Sequence, residues 1–103
     1  MTNLLKEVIE NLKEEGYTVS DVDWIGISNG NIATFDEFEK LAKNINYDSG
    51  YGLQEIHPEL IVVLKDGCWF ERVEYDGSEW FTFKVPPVKN TNARPLTKKD
   101  IIN

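Results

Sequence analysis

Two Asp-Gly pairs, each set between runs of β-prone residues, constrain this chain more than anything else in it. Leu60–Lys65, Asp66-Gly67, Cys68–Tyr75, Asp76-Gly77 and Ser78–Val85 follow one another without interruption. Asp-Gly is a preferred pair for a tight hairpin because both positions tolerate positive φ. Two such pairs in succession predict a three-stranded antiparallel meander over about 60–85. Pro86-Pro87 then ends the last strand, since proline cannot donate to a sheet ladder.

If both turns are two-residue loops, counting outward fixes the register. Tyr75 faces Ser78, Val73 faces Trp80, Glu71 faces Thr82 and Trp69 faces Lys84. In the first hairpin Lys65 faces Cys68, Leu64 faces Trp69, Val62 faces Glu71 and Leu60 faces Val73. Side chains alternate across a strand. One face therefore collects Ile61, Val63, Cys68, Phe70, Phe81, Phe83 and Val85, with Arg72, Glu74 and Glu79 toward one end. The other collects Leu60, Val62, Leu64, Trp69, Val73, Tyr75 and Trp80, with Glu71, Thr82 and Lys84 among them. Both faces are apolar, whereas an antiparallel sheet with one wet face alternates apolar and polar. Each face thus needs a cover.

The covers are two amphipathic helices. Leu4, Leu5, Val8, Ile9 and Leu12 form one apolar stripe, so the spacing predicts a helix over 3–15, closed by Gly16. Thr34-Phe35-Asp36-Glu37 has the form of a capping box, and Phe35, Phe38, Leu41, Ala42 and Ile45 follow at helical spacing. That predicts a second helix over 35–45. Between them, Tyr17–Ser28 and Asn31–Ala33 flank Asn29-Gly30 and predict a hairpin over about 18–33. The fold class is α+β, with one domain over 1–87 and an extended or mobile C-terminal tail over 88–103. If the helices share one face, then residues 46–59, the tail or another molecule must cover the second. Trp69, Tyr75, Trp80, Leu64 and Val62 are accordingly the candidate interaction surface, Trp and Tyr being enriched at interface anchors. Packing of the same aromatics in the core is the competing reading.

Net charge is −7 over 103 residues, unevenly spread. Residues 1–85 carry 7 Lys/Arg against 17 Asp/Glu, a balance of −10; residues 86–103 carry Lys89, Arg94, Lys98 and Lys99 against Asp100, a balance of +3. So acidic a body repels phosphate backbones and argues against direct nucleic-acid binding. The acidity serves solubility, or else imitates nucleic acid for a basic partner.

A search for chemistry yields little. One histidine, His57, and one cysteine, Cys68, build no metal-ligand set and no disulfide. Cys68 on the core face reads as a buried thiol. Gly50-Tyr51-Gly52 lacks the further glycines of a phosphate-binding loop. Glu74, Glu79 and Arg72 read as a structural charge cluster rather than an acid/base pair. No catalytic residue, metal or cofactor is expected. The loop at 46–59 is unusual in carrying two tyrosines, so Tyr47, Asp48, Ser49, Tyr51, Glu55 and His57 form a candidate loop site. The first residues lack the uninterrupted apolar run of a signal peptide, and Leu60–Leu64 is far too short to span a bilayer. A cytoplasmic protein without a membrane partner is expected.

Asn46-Tyr47-Asp48-Ser49-Gly50-Tyr51-Gly52-Leu53-Gln54-Glu55-Ile56, together with the segment Trp69 to Lys84 that closes on Pro86-Pro87, resembles a family of small proteins from phages and prophages of low-GC Gram-positive bacteria. The resemblance covers about 20–87 and carries no assigned catalytic or binding residues. It implies an accessory protein of the host cytoplasm that binds host or phage machinery. The leading expectation is a non-enzymatic interaction module whose partner is another protein or, as a homodimer, a second copy of itself. An acidic nucleic-acid mimic is the alternative. A small ligand-binding domain or enzyme built on the 47–57 loop is the third.

Overall fold

A computed structural model describes residues 1–102; Asn103, the last residue of the expected tail, lies outside the described residues. The elements are β1 (Thr2–Asn3), α1 (Leu4–Glu14), a 3-10 turn (Val19–Asp21), β2 (Val22–Ile27), β3 (Ile32–Ala33), α2 (Phe35–Ala42), β4 (Asn46–Tyr47), β5 (Leu60–Leu64), β6 (Trp69–Tyr75), β7 (Ser78–Lys84) and α3 (Lys98–Ile101). The α+β architecture expected from sequence is present. A five-stranded antiparallel sheet runs in the order β3-β2-β5-β6-β7, and a small β1-β4 pair stands apart from it.

Local chemistry explains the helix ends. Asn3 caps α1 by accepting from Lys6 N–H. At the other end Gly16 has φ +82°, and Gly16 N and Tyr17 N donate to the carbonyls of Lys13 and Leu12. That double closure is a Schellman motif, which requires the left-handed residue glycine supplies. The Thr34–Glu37 capping box forms in both directions. α2 stops at Ala42, three residues before the expected end, because Ile45 N turns back to Ala42 O and Ile45 O accepts from Leu4 N. The expected strand over 17–28 begins only at Val22; Thr18 and Asp21 instead close a 3-10 turn.

The two Asp-Gly turns differ. Asp76 and Gly77 both have positive φ, so the second hairpin has the two-residue loop and the register counted from sequence. At the first, only Gly67 is left-handed, Gly67 N donates to Leu64 O, and Leu64 N donates to Cys68 O. Lys65-Asp66-Gly67 is therefore a three-residue loop. The register becomes Ile61 with Glu71, Val62 with Phe70 and Val63 with Trp69. A one-residue slip moves every side chain of a strand to the other face. Val62 and Leu64 thus enter the core, and Ile61 and Val63 leave it.

The core lies between one sheet face and the two helices. It joins Leu4, Val8 and Leu12 of α1 and Phe38 and Ala42 of α2 to Ile25, Val62, Leu64, Phe70 and Phe81 of the sheet. A register irregularity between Val22 and Trp24 leaves Asp23 exposed, so Val22 and Ile25 both point inward. Gly26 has no room for a side chain: a Cβ there would stand 2.4 Å from Asn31 O.

Candidate functional site

Both helices cover the same side of the sheet. The opposite side is formed by Trp24 and Gly26 of β2, Ile61 and Val63 of β5, Trp69, Glu71, Val73 and Tyr75 of β6, and Ser78, Trp80, Thr82 and Lys84 of β7. None of these side chains is buried. Tyr75 is 75% exposed and Trp80 42% exposed, whereas Phe70 and Phe81 across the sheet are 2% and 6% exposed. Residues 46–59 do not provide the missing cover, since Tyr47 and Ile56 pack into the core beneath the helices. Nor does the tail, exposed from Pro86 to Ile102.

The open face has an ordered floor. Trp24, Val63, Trp69 and Lys84 lie side by side across four strands, followed by Gly26, Ile61, Glu71 and Thr82. Val73 opposes Trp80 in the next row. Trp69 Nε1 donates to Glu71 Oε1 at 2.8 Å, which holds the indole along the strand. At the end of this face Glu59 and Glu71 border a hollow of about 210 Å³ whose other walls include Leu60, Ile61 and Pro58. Neither carboxylate forms an ion pair among the described residues; Arg72 alone does, with Glu7 and Glu79.

Three of the five surface residues named from sequence, Trp69, Tyr75 and Trp80, share this face. Val62 and Leu64, each 1% exposed, do not: they are core, for the register reason given above. Trp24, Ile61 and Val63 belong to the face and were missed. The available signal was the alternation itself. A three-residue loop places Val62 and Leu64 beside Phe70 and Phe81, and concentrates the exposed aromatics opposite.

The candidate loop residues do not converge. Tyr47 is 1% exposed, and its hydroxyl donates to Glu7 Oε1 at 2.6 Å while accepting from Arg72 Nη2 at 3.0 Å. Burial, and then the Glu7 bond, push its phenol well above its ordinary range against the opposing pull of Arg72. Tyr51 stands in solvent at 81% exposure. Asp48 Oδ1 accepts from Gly50 N, Ser49 Oγ meets Thr2 Oγ1, Glu55 accepts from Asp48 N, and His57 Nδ1 accepts from Glu59 N. Glu55 and His57 reach the rim of a hollow of about 440 Å³ under α2, lined by Ile25, Ile27, Phe38, Leu41 and Ile56. Its walls are apolar, and at its rim Glu55 Oε2 and His57 Nδ1 already accept from Asp48 N and Glu59 N.

The loop takes its shape from one buried ion pair. Arg72 Nη2 donates to Glu79 Oε1 at 2.7 Å and Nη1 to Glu7 Oε2 at 3.2 Å, with both the Arg72 and the Glu79 side chains sealed from solvent. The remaining Glu79 valences accept from Glu55 N at 2.7 Å and Ile56 N at 3.2 Å. The guanidinium carbon lies 4.5 Å from the Phe81 ring centre and 5.5 Å from that of Tyr47. Burial acts to lower the Arg72 pKa, but the Tyr47 and Glu79 bonds and the Glu7 charge outweigh it, and the net shift is upward. Among the buried side-chain polar atoms of the described residues, Arg72 Nε alone has no partner. The charge cluster read from sequence is therefore structural in the case of Arg72 and Glu79. Glu74 faces Glu79 in register but turns out to accept from Gly77 N.

Among the described residues no group of three His, Cys, Asp or Glu side chains could hold a metal, and no helix is long and apolar enough to cross a membrane. Comparison with protein-family models, curated proteins and solved structures returned no match.

Proposed function

We propose that this chain is a non-enzymatic protein-interaction module, a phage- or prophage-type accessory protein of the host cytoplasm, and that the open sheet face is its contact surface. One observation carries the reading. Both helices sit on one side of the sheet, leaving Trp24, Trp69, Trp80 and Tyr75 together on an uncovered face. Contiguous apolar surface rimmed by polar groups marks an interaction site, and Trp and Tyr carry a large share of binding energy where they are buried by a partner. The acidic-mimic reading has less behind it, because the carboxylates are spread over α1, α2, the loops and the hairpins. The 47–57 ligand-site reading requires side chains to converge, yet Tyr47 points inward and Tyr51 outward.

A photo-cross-linking amino acid tests the reading in lysogenic or infected cells. Placed at Thr82, on the open face, it should give a discrete protein adduct. Placed at Glu10, on the exposed side of α1, it should give none. Equal adducts from both positions, or an adduct from Glu10 alone, would sink the assignment.

A further inference from the structure

The segment after β7 is built unlike the body it leaves. Residues 86–102 are exposed throughout, including Val88 at 93% and Leu96 at 73%. The Cα radius of gyration is 16.6 Å, where a compact chain of this length has about 13 Å, so part of the chain projects from the body. Pro86-Pro87 and Pro95 hold φ near the polyproline II value. The segment carries +3 against −10 for residues 1–85. It is thus a basic, proline-bearing arm with exposed aliphatic side chains, extended at its root, bent at Asn90–Ala93 and ending in α3.

The open face has the complementary chemistry. Trp69 and Trp80 supply flat aromatic surfaces of the kind on which proline-rich segments dock. Glu71, beside Trp69, and Glu59 border a hollow whose walls combine the carbons of Pro58, Leu60 and Ile61 with polar groups, and among the described residues neither carboxylate has a cationic partner. A Lys or Arg stem can lie along such a wall with its charge between the carboxylates.

We propose that the arm of one copy, from Pro86 to Leu96, lies across the open sheet face of a second copy and receives that copy's arm in return, giving a two-fold dimer. This rests on the reading of the open face as a contact surface and names its occupant. Reciprocal exchange is the closed form such an arm-to-face contact takes. Reach is sufficient: the chain turns where Ala93 N donates to Asn90 O, and before that turn Pro86 to Asn90 span about 12 Å as polyproline II, while the step from β7 to β5 is about 10 Å. Self-docking is disfavoured at the root. Pro86 abuts the Asp66-Gly67 turn, its Cγ 3.9 Å from where a Gly67 Cβ would stand, and the two consecutive prolines resist the immediate reversal an intramolecular return needs.

Sedimentation of the full chain over a concentration series tests this. The chain should dimerise, and salt should weaken the dimer. K89E/R94E and E59K/E71K, each verified as folded by circular dichroism, should each weaken self-association on the order of tenfold or more. Mixing the two in equal amounts should restore a dimer, because each reversed arm then meets a reversed face. A wild-type chain that stays monomeric at millimolar concentration overturns the proposal, whether or not its Trp fluorescence depends on the arm; such dependence would mean self-docking. Dimers that persist in both variants, or a mixture that stays monomeric, also overturn it. A monomeric result leaves the open face as a surface for a foreign protein, which the Thr82 cross-link decides separately.

Discussion

Arg72 joins parts of the chain that are far apart in sequence. Its guanidinium binds Glu7 of α1, the Tyr47 hydroxyl of β4 and Glu79 of β7, and through Glu79 it fixes the amides of Glu55 and Ile56. Removing one partner of a buried pair strands the other charge at a cost of about 3–5 kcal/mol. Glu79→Ala should lose stability of that order in urea unfolding, and hydrogen exchange at Glu55 and Ile56 should rise selectively. The double variant R72M/E79L should cost less than the sum of its single variants, because no charge is left buried alone. The Thr34–Glu37 box gives a pH-dependent counterpart. The Thr34 backbone N–H, and then its hydroxyl, hold the Glu37 carboxyl below its ordinary value. A lowered folded-state pKa contributes stability that is present above the unfolded carboxylate value and lost as pH falls through the folded one. Glu37→Gln, which keeps the shape and removes the charge, should therefore lower the melting temperature near neutral pH, and the gap from wild type should narrow as pH falls and Glu37 protonates.

At the scale of elements, the sheet shows how much of the fold and of the site was legible beforehand. The α1 stripe, the Thr34 box and the Asp76-Gly77 hairpin are local, and each forms where its residues predict. The β5 register was not legible, because Asp-Gly suits both a two-residue turn and a longer loop ending in a left-handed glycine. Which one forms is decided by packing: only the three-residue loop brings Val62 and Leu64 over Phe70. β1, β4 and the Tyr47–Glu7 bond join residues some forty positions apart and leave no local trace. The open face was half visible for the same reason, with β6 and β7 placed correctly and β5 inverted. An uncovered face has an energetic signature. Phe70→Ala should cost about 3–5 kcal/mol, as core truncations do. Trp80→Ala should cost about 1 kcal/mol or less, the scale of a cross-strand pair. Comparable losses at the two sites in urea unfolding would mean that Trp80 is covered.

The whole molecule combines an acidic body, a basic exposed arm and a sheet with helices on one side only. Its uncovered side carries three tryptophans that folding of the single chain leaves in contact with water. Oxidative footprinting of the full chain, read by mass spectrometry at a dilution where it sediments as one copy, tests that claim most directly. Trp69, Tyr75 and Trp80 should label rapidly, while Tyr47 and Phe70 stay protected. Protection of Trp69 and Trp80 in the single chain, at a level matching Phe70, would contradict the account.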